Sequence, residues 1–546
     1  MFKKMKLSEL TGPPTGARDI LQRRIKNIPK FWWIFLVIFL VGIFLRLWHH
    51  HDWLRFNADQ GRDAIFVSNV VDGNAPLPLL GPKAGGTQFR LGPVFYWFEI
   101  ASAKIFGNYP DKMAYPDLIT SILCLPLLFF FLRKYFDKYT ALSMNAIFAV
   151  SNYAIRYARF AWNPNSTPFW TILLLYAIHE IISPKNNRKF LWSAVAGIAI
   201  GIDVQLHTTL LVILPIATVL VFSYLAFKNL KNLKYLLVIL LILTLVNTHQ
   251  LINIYQKKGR NIKLFLKGFH IKQRKEDSVL NNMLQGTSCW IQGNLYIISG
   301  YEISDECVFN PSHSARETTL FFFGLLFVLG GTILGIRYFL KEKNTSRKSF
   351  LGIVFVFVGI TYLVFLKVAF ELSVRFYLPL IFLPYLMLGF WIEFTKEKFK
   401  IRQRTILLAV LVPLILSNLC FVQKSFAALA SRANLRESSV NSMILQEAEI
   451  LSRFIVANSN DEKKVYIAGG KQFLHKAYTP LKYLVGRSGV ELLLLKKNAP
   501  PPESLFQVVS QKKKKRMMID PNLSISQSKD FGEFSILFVQ NKVSPP

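Results

Sequence analysis

Twelve apolar runs, most of them long enough to cross a lipid bilayer as helix, constrain this chain more than any other feature. They lie near residues 31–48, 93–106, 115–132, 140–157, 168–182, 190–206, 208–227, 235–252, 318–339, 350–369, 376–394 and 405–422. About 20 residues of helix match the ~30 Å of bilayer hydrocarbon, where each backbone N–H and C=O must be bonded within its own helix. Composition agrees: 52% of residues are hydrophobic and only 18% charged, against roughly a quarter charged in a soluble domain. The sequence predicts an all-α polytopic membrane protein. A formal net charge of +34 could suit a nucleic-acid binder. The cations, however, sit in short clusters between apolar runs, as the positive-inside bias distributes them, so nucleic acid is not expected as a partner.

Those clusters also fix an orientation. If all twelve runs cross, basic loops fall alternately on the wrong side. Removing 93–106 (PVFYWFEIASAKIF), which is short and carries Glu99 and Lys104, restores order; it reads as an amphipathic helix along the interface. About eleven spans remain. The basic loops 133–139, 184–189, 228–234, 341–348 and 395–404 then join a basic, uncleaved cytoplasmic N-terminus (1–30). Loops 49–114, 158–167 and 253–317, a hinge at His207 and the tail 424–546 fall outside the cell. The spanning domain covers 31–423. In the tail, a helical stretch (437–457) and short apolar runs such as VYIAG and FSILFV predict a small α/β extracytoplasmic domain. Cys124 and Cys420 fall within spans. Cys289 and Cys307 share the 253–317 loop on the oxidising side and are expected to form a disulfide, two free thiols being the alternative.

Unusual polar residues gather on the outer face. RFNADQGRDAIF (55–66) spaces Asp59, Arg62 and Asp63 at i, i+3 and i+4, one face of a helix; a solvated polar face is the plain alternative. A Gly- and Pro-rich path follows, carrying Lys83 and Arg90, and then the Tyr96–Trp97 pair, suited to the headgroup zone. Two acids, three cations and an aromatic floor fit an anionic lipid headgroup. In RYARFAWNPNSTPFW (156–170), Arg156 and Arg159 defy the positive-inside bias and require a partner, either Asp59 or Asp63 or a phosphate, a structural ion pair being the plain alternative. Asn163, Pro164 and Asn165 form a turn there. Asp203 and His207 share a helix face and suit capping or packing better than catalysis. Lys367, Glu371 and Arg375 recur every four residues; Glu371 can pair with Arg375, or Arg375 can hold a phosphate. Neither a phosphate-binding Gly-rich motif nor a metal-ligand spacing occurs. No cofactor is expected, a divalent metal being left open.

The uncleaved first span, the Asp-bearing first loop, Gly-Pro-x-x-Tyr-Trp at 92–97 and the order of segments through WNPN (162–165) resemble the GT-C superfamily of lipid-phosphosugar glycosyltransferases. Within it the protein O-mannosyltransferases, the aminoarabinose transferases of lipid A and the bacterial RgtA/B/C/D-like group look most similar. The resemblance extends over roughly residues 30–390. It implies a multi-pass plasma-membrane enzyme that moves a hexosyl or pentosyl group, with inversion, from a polyprenyl-phosphate donor to an extracytoplasmic glycan, lipid or protein. Asp59 matches the family's general base, though the usual Asp-Glu is here Asp59–Gln60, and Asp63 competes for the role. Arg62, Lys83, Arg90, Arg159 and Arg375 become candidates for the donor phosphate. Tyr96, Trp97, Asn163, Asn165, His207 and Glu371 become candidates for the substrate. The second loop often ends in Asp, whereas Asn163 and Asn165 stand here, which departs from a two-carboxylate metal site. Arg375–Pro379 resembles the family's Arg-Tyr-x-x-Pro segment. The chemistry fits independently: an ionised Asp takes the acceptor's proton, and cations steady the departing phosphate. A flippase for the same lipid and a non-catalytic membrane scaffold are the other classes such a chain could belong to.

Overall fold

Helices built of apolar residues on nearly every side need lipid around them. In the computed structural model helices make up most of the chain, several of them of this kind; the structure describes residues 29–273, 278–304, 307, 314–437, 442–459, 462–495, 502, 504–517 and 523–541. The basic stretch 1–28 lies outside these. α1 (Lys30–Leu47) exposes Val37, Leu40 and Phe44, side chains that only a lipid phase solvates cheaply. Two short helices follow in the first loop, α2 (Ala58–Val71) and α3 (Val94–Phe106), and after them a single helical turn, Pro110–Met113. At 1.5 Å per residue, the 13 residues of α3 reach about 20 Å, short of the hydrocarbon thickness. Gly107, at φ +118°, ends it.

Next come α4 (Tyr115–Leu132), α5 (Lys138–Ala149), α6 (Asn152–Tyr157), α7 (Thr167–Ile182), α8 (Lys189–Leu206) and α9 (Thr208–Lys228). The apolar run 140–157 is thus split, and the Ser151 hydroxyl accepts from Ala154 N–H to start α6 afresh. α10 (Leu233–Val246) turns by 62° into α11 (Thr248–Gln256). At the turn the Asn247 side chain donates to the carbonyls of Leu243 and of Gly201 on α8 at 2.8 and 3.1 Å, tying the turn to the neighbouring helix. α12 (Arg260–Gln273) and α13 (Val279–Ser299) occupy the expected 253–317 loop. α14 (Ala315–Lys341), α15 (Thr345–Lys367), α16 (Leu383–Phe399) and α17 (Gln403–Ala433) complete the bundle. A 3₁₀ segment, Val374–Leu380, precedes α16 at a 66° bend.

The chain is therefore a multi-pass membrane protein. Among the described residues, α1, α4, α8, α9, α14, α15 and α17 qualify as spans by length and apolarity, seven helices, or nine if each bent pair counts as one. The other two of the eleven expected runs are the split 140–157 and the 16-residue α7. α13 is the larger departure. Its polar sequence reads as loop, yet nearly all of residues 286–298 are buried among α14 to α17. The polar groups bond internally: Asn294 donates to Trp290 O at 2.8 Å and Gln292 to Cys307 O at 3.1 Å. A disulfide joins Cys289 to Cys307.

The tail is a five-stranded sheet in the order β2-β1-β3-β5-β4, built from β1 (Lys464–Gly469), β2 (Glu491–Leu494), β3 (Ser504–Ser510), β4 (Leu523–Phe531) and β5 (Phe534–Asn541). β1 pairs parallel with β2 and β3, and β5 runs antiparallel to β3 and β4. Helices α18 (Leu445–Ala457) and α19 (Lys471–Arg487) accompany it. α17 runs on to Ala433, past the boundary expected at 423. The tail is tied to the first loop by main-chain bonds from Phe56 N to Met443 O (2.7 Å) and from Leu445 N to Leu54 O (2.8 Å). α19 lies against α2 so closely that a Cβ on Gly61 would come within 2.6 Å of Pro480 N and 2.8 Å of Thr479 C.

Two tests follow from this arrangement. Reporter fusions after residues 110 and 136 should read on opposite sides of the membrane, extracytoplasmic and cytoplasmic; the reverse pair would refute the orientation. Gly61→Ala must push backbone aside, an overpacking cost of about 1–3 kcal/mol. It should lower the melting temperature and speed tryptic cleavage near residue 436, whereas Gly359→Ala, where a Cβ meets nothing within 4 Å, should do neither.

Candidate active site

The start of α2 is held from three sides. Asn57 and Gln60 form a capping box, with Asn57 N–H donating to Gln60 Oε1 at 3.1 Å. Gln60 Nε2 then reaches the second loop, donating to Ala161 O at 3.1 Å. Asn57 Oδ1 accepts from Met443 N–H of the tail at 2.6 Å. The first turn is thus a fixed platform, and its next residues carry the charge.

Arg62 grips both acids. Its Nη1 bonds Asp59 Oδ1 at 2.8 Å, while Nε and Nη2 bond Asp63 Oδ1 and Oδ2 at 2.9 and 3.0 Å, the two-pronged geometry a guanidinium favours. The acids differ sharply in setting. The Asp59 side chain is 62% exposed and that of Asp63 5%. Tyr96 donates its hydroxyl to Asp63 Oδ1 at 2.8 Å, so α3 braces α2. Burial pushes the Asp63 carboxyl up, and Arg62 and Tyr96 pull it partly back, to about 6. Beneath lies Glu99, buried, with Oε2 unpartnered among the described residues. Burial first, then the charges of Asp63 and Asp117, hold its carboxyl well above the usual range. Asp117, also buried, accepts Trp162 N–H at 2.9 Å.

The second loop brings further candidates alongside. The Trp162 ring faces Arg375, whose guanidinium lies 5.6 Å from its centre, and Phe376 is 5.7 Å from the same group. The His207 ring meets Phe376 edge-on at 5.2 Å, and its Nδ1 bonds Thr209 Oγ1 at 2.7 Å, starting α9. Asn163 donates to Leu206 O. Arg375 is exposed, and among the described residues no acid pairs with it. Gln60 thus joins the first turn of α2 to Ala161, the neighbour in sequence of Trp162, and the Trp162 ring in turn adjoins Arg375. Glu371, half-buried, belongs to the short 3₁₀ turn Ala369–Glu371 just before Arg375. Asn165 is buried and donates to Phe160 O at 2.8 Å, shaping the loop from within.

Four expected residues go elsewhere. Arg159 is buried and donates to the carbonyls of Arg46 (3.0 Å), His49 (3.1 Å) and Leu45 (3.4 Å). It caps the end of α1, where a cation meets the negative end of the helix dipole, and its guanidinium is not turned to the Asp59 cluster. Lys83 and Arg90 pair across a hairpin whose Ala84, Phe89 and Leu91 pack on Leu211, Leu264 and Phe265. Among the described residues no hydrogen bond or ion pair joins either cation to the Asp59 cluster. Trp97 donates to Pro78 O at 3.1 Å and meets His249 at 4.3 Å, on the hairpin side. Arg156, unexplained in the sequence, pairs with Glu302 at 2.6 Å.

Sequence reasoning missed a second charged cluster. His51 lies 3.2 Å from Asp111 and 3.3 Å from Glu449 of the tail. Hydrogen bonds to Asp111, then Glu449, raise its imidazole to about 10, so it clamps the tail as a cation. Only the adjacency of His49, His50 and His51 signalled it. Among the described residues no group of three or more His, Cys, Asp or Glu is placed to hold a metal ion.

Comparison with known proteins now adds a class. Residues 90–252 match the family model for dolichyl-phosphate-mannose-protein mannosyltransferases; the segment begins after Asp59. No curated protein matches the chain. Among solved structures, ArnT from Cupriavidus metallidurans bound to undecaprenyl phosphate is similar at 11% identity. The match covers 95% of this chain and 99% of that one, with a TM-score of 0.50. The oligosaccharyltransferase of Archaeoglobus fulgidus tethered to an acceptor peptide is similar at 13% identity over 85% of this chain and 63% of its own, also at 0.50. Over residues 90–252 the chain is similar to that family, and its overall fold is similar to the folds of these two membrane proteins.

Proposed function

We propose that this protein transfers a sugar from a polyprenyl-phosphate donor to an acceptor hydroxyl or amine on the extracytoplasmic side of the plasma membrane, with inversion, using Asp59 as general base. One observation carries this: of the two carboxylates on Arg62, Asp59 alone is open to solvent, and it is held in place by the other. As the acceptor attacks the anomeric carbon, its proton passes to Asp59; the bond from that carbon to the phosphate oxygen breaks, and polyprenyl phosphate leaves. Arg62, engaged by two acids, positions the base. Arg375, exposed beside Trp162, is the cation best placed for the leaving phosphate, and a positively charged donor there stabilises charge as it develops. Lys83 and Arg90 sit on the adjoining hairpin and supply a wider positive field. The similar ArnT structure holds undecaprenyl phosphate, which supports a donor of that kind. The acceptor belongs to the cell envelope as glycan, lipid or protein.

Asp59→Asn keeps the shape and removes the proton acceptor. In proteoliposomes supplied with a polyprenyl-phosphate sugar, it should cut transfer by roughly 10²–10⁴-fold and leave donor binding intact. Arg375→Ala should instead weaken donor binding. Full activity in Asp59→Asn with none in Asp63→Asn would move the base one turn along the helix; full activity in both would defeat the transferase site.

The acid limb of the reaction gives a separate test. The grip on Arg62 needs Asp63 ionised, so transfer should fall as pH drops through about 6. Tyr96→Phe removes a donor that favours the ionised form, and the midpoint should then move to higher pH. A midpoint that stays put would show that Asp63 does not orient the site.

A further inference from the structure

The first-loop hairpin and the helices after α10 carry an unusual charge pattern. Neither the hairpin sequence 73–92 nor the segment 248–273 contains a single Asp or Glu. Lys257, Lys258, Arg260, Lys263 and Lys267 are all exposed there, and among the described residues none has an ion pair or a hydrogen bond from its side chain. Lys83 and Arg90, also exposed, add two more cations close by. So many like charges repel one another unless anions lie among them.

The geometry says where those anions lie. α10 is an apolar helix of 14 residues, and the 62° turn into α11 sends the chain away from its direction. α12 is then clamped on the hairpin. The Asn261 side chain exchanges hydrogen bonds with the Arg90 main chain at 3.1 and 2.9 Å, and Phe265 meets Phe89 at 5.0 Å. Thr87 would lie 3.0 Å from a Cβ on Gly268. One face of α12 is thus used up by the protein. What remains outside is large and apolar, Leu251, Ile252, Tyr255, Ile262 and Leu266, interleaved with the five cations. Apolar side chains flanked by unpaired cations at the end of a span match an interfacial helix seated among anionic headgroups.

We infer that α11 and α12 form a docking surface for anionic phospholipids of the surrounding leaflet, with the exposed apolar side chains in the acyl boundary and the cations on the headgroups. The surface would hold whatever reaction the Asp59 site performs. It would also anchor the hairpin, through Asn261 and Phe265, at a fixed depth.

The test uses the full chain, purified in neutral detergent and mixed with phosphatidylglycerol and phosphatidylcholine. Each cation near an anionic surface is worth about fivefold in binding. By native mass spectrometry, the protein should retain phosphatidylglycerol at least about tenfold over phosphatidylcholine. A variant carrying Lys257→Gln, Lys258→Gln, Arg260→Gln, Lys263→Gln and Lys267→Gln should lose most of that preference, and one with Arg in place of the four lysines should keep it. A second measurement needs no variant: in proteoliposomes, backbone hydrogen exchange across 248–273 should slow with phosphatidylglycerol relative to phosphatidylcholine, and salt should erase the difference. Unchanged preference in the Gln variant, or unchanged exchange in the native chain, would overturn the inference. So would a Gln variant that keeps phosphatidylglycerol but loses polyprenyl phosphate, which would assign the surface to the donor.

Discussion

Two amide side chains, Asn57 and Gln60, hold the site together. Each has both a donor and an acceptor end, and each bridges segments that sequence keeps far apart. Gln60 takes the N–H of Asn57 and gives its own to Ala161. Asn57 takes the N–H of Met443. First loop, second loop and tail therefore meet at one helix start. Each bond there is buried, where an unmade partner costs about 1–3 kcal/mol, so the three segments hold one another in register. Everything that positions Asp59 depends on that joint.

Charge is then distributed to suit the boundary at which the site stands. A lone carboxylate pointing from a membrane protein's surface is a common object; one fixed by a guanidinium whose other side is locked into the interior is not. Arg62 is supplied with two counter-charges, and the second, Asp63, is further tied to Tyr96. Below it Glu99 is too deep to share the grip, and burial first, then proximity to Asp63, makes it costly to ionise. The result is one accessible anion on Arg62 above an acid that resists ionisation. Arg375 stands beside the rings of Trp162 and Phe376, and no carboxylate competes for it among the described residues.

What could be read from the sequence followed the range of the forces involved. The apolar runs declare themselves because lipid leaves helix as the only choice for the backbone. The Asp59–Arg62–Asp63 spacing is visible because i, i+3 and i+4 always share a helix face. Cys289 and Cys307 stood out by lying together in one loop. By contrast, α13 was hidden: Gln292 and Asn294 read as exposed, and nothing local reveals that their partners are Ser288, Cys307 and Trp290. The position of Arg159 in sequence implied an anion, but the negative end of α1 serves as one, a feature of a distant terminus. The tail's grip through His51 and Gly61 is likewise invisible, since neither residue announces what crosses over it.

The contact between Gly61 and Pro480 has a consequence for how the molecule is made. A chain grows from its N-terminus at about 5–20 residues per second, so α2 emerges long before the helix that backs it. For the tens of seconds needed to make the intervening ~400 residues at that pace, neither Met443 nor Pro480 exists to hold the Asp59 helix against the bundle. The base is thus backed by a part of the chain that is made hundreds of residues after it. A product that stops at the end of α17 contains every proposed catalytic residue and lacks both the Met443 bond to Asn57 and the Pro480 contact with Gly61.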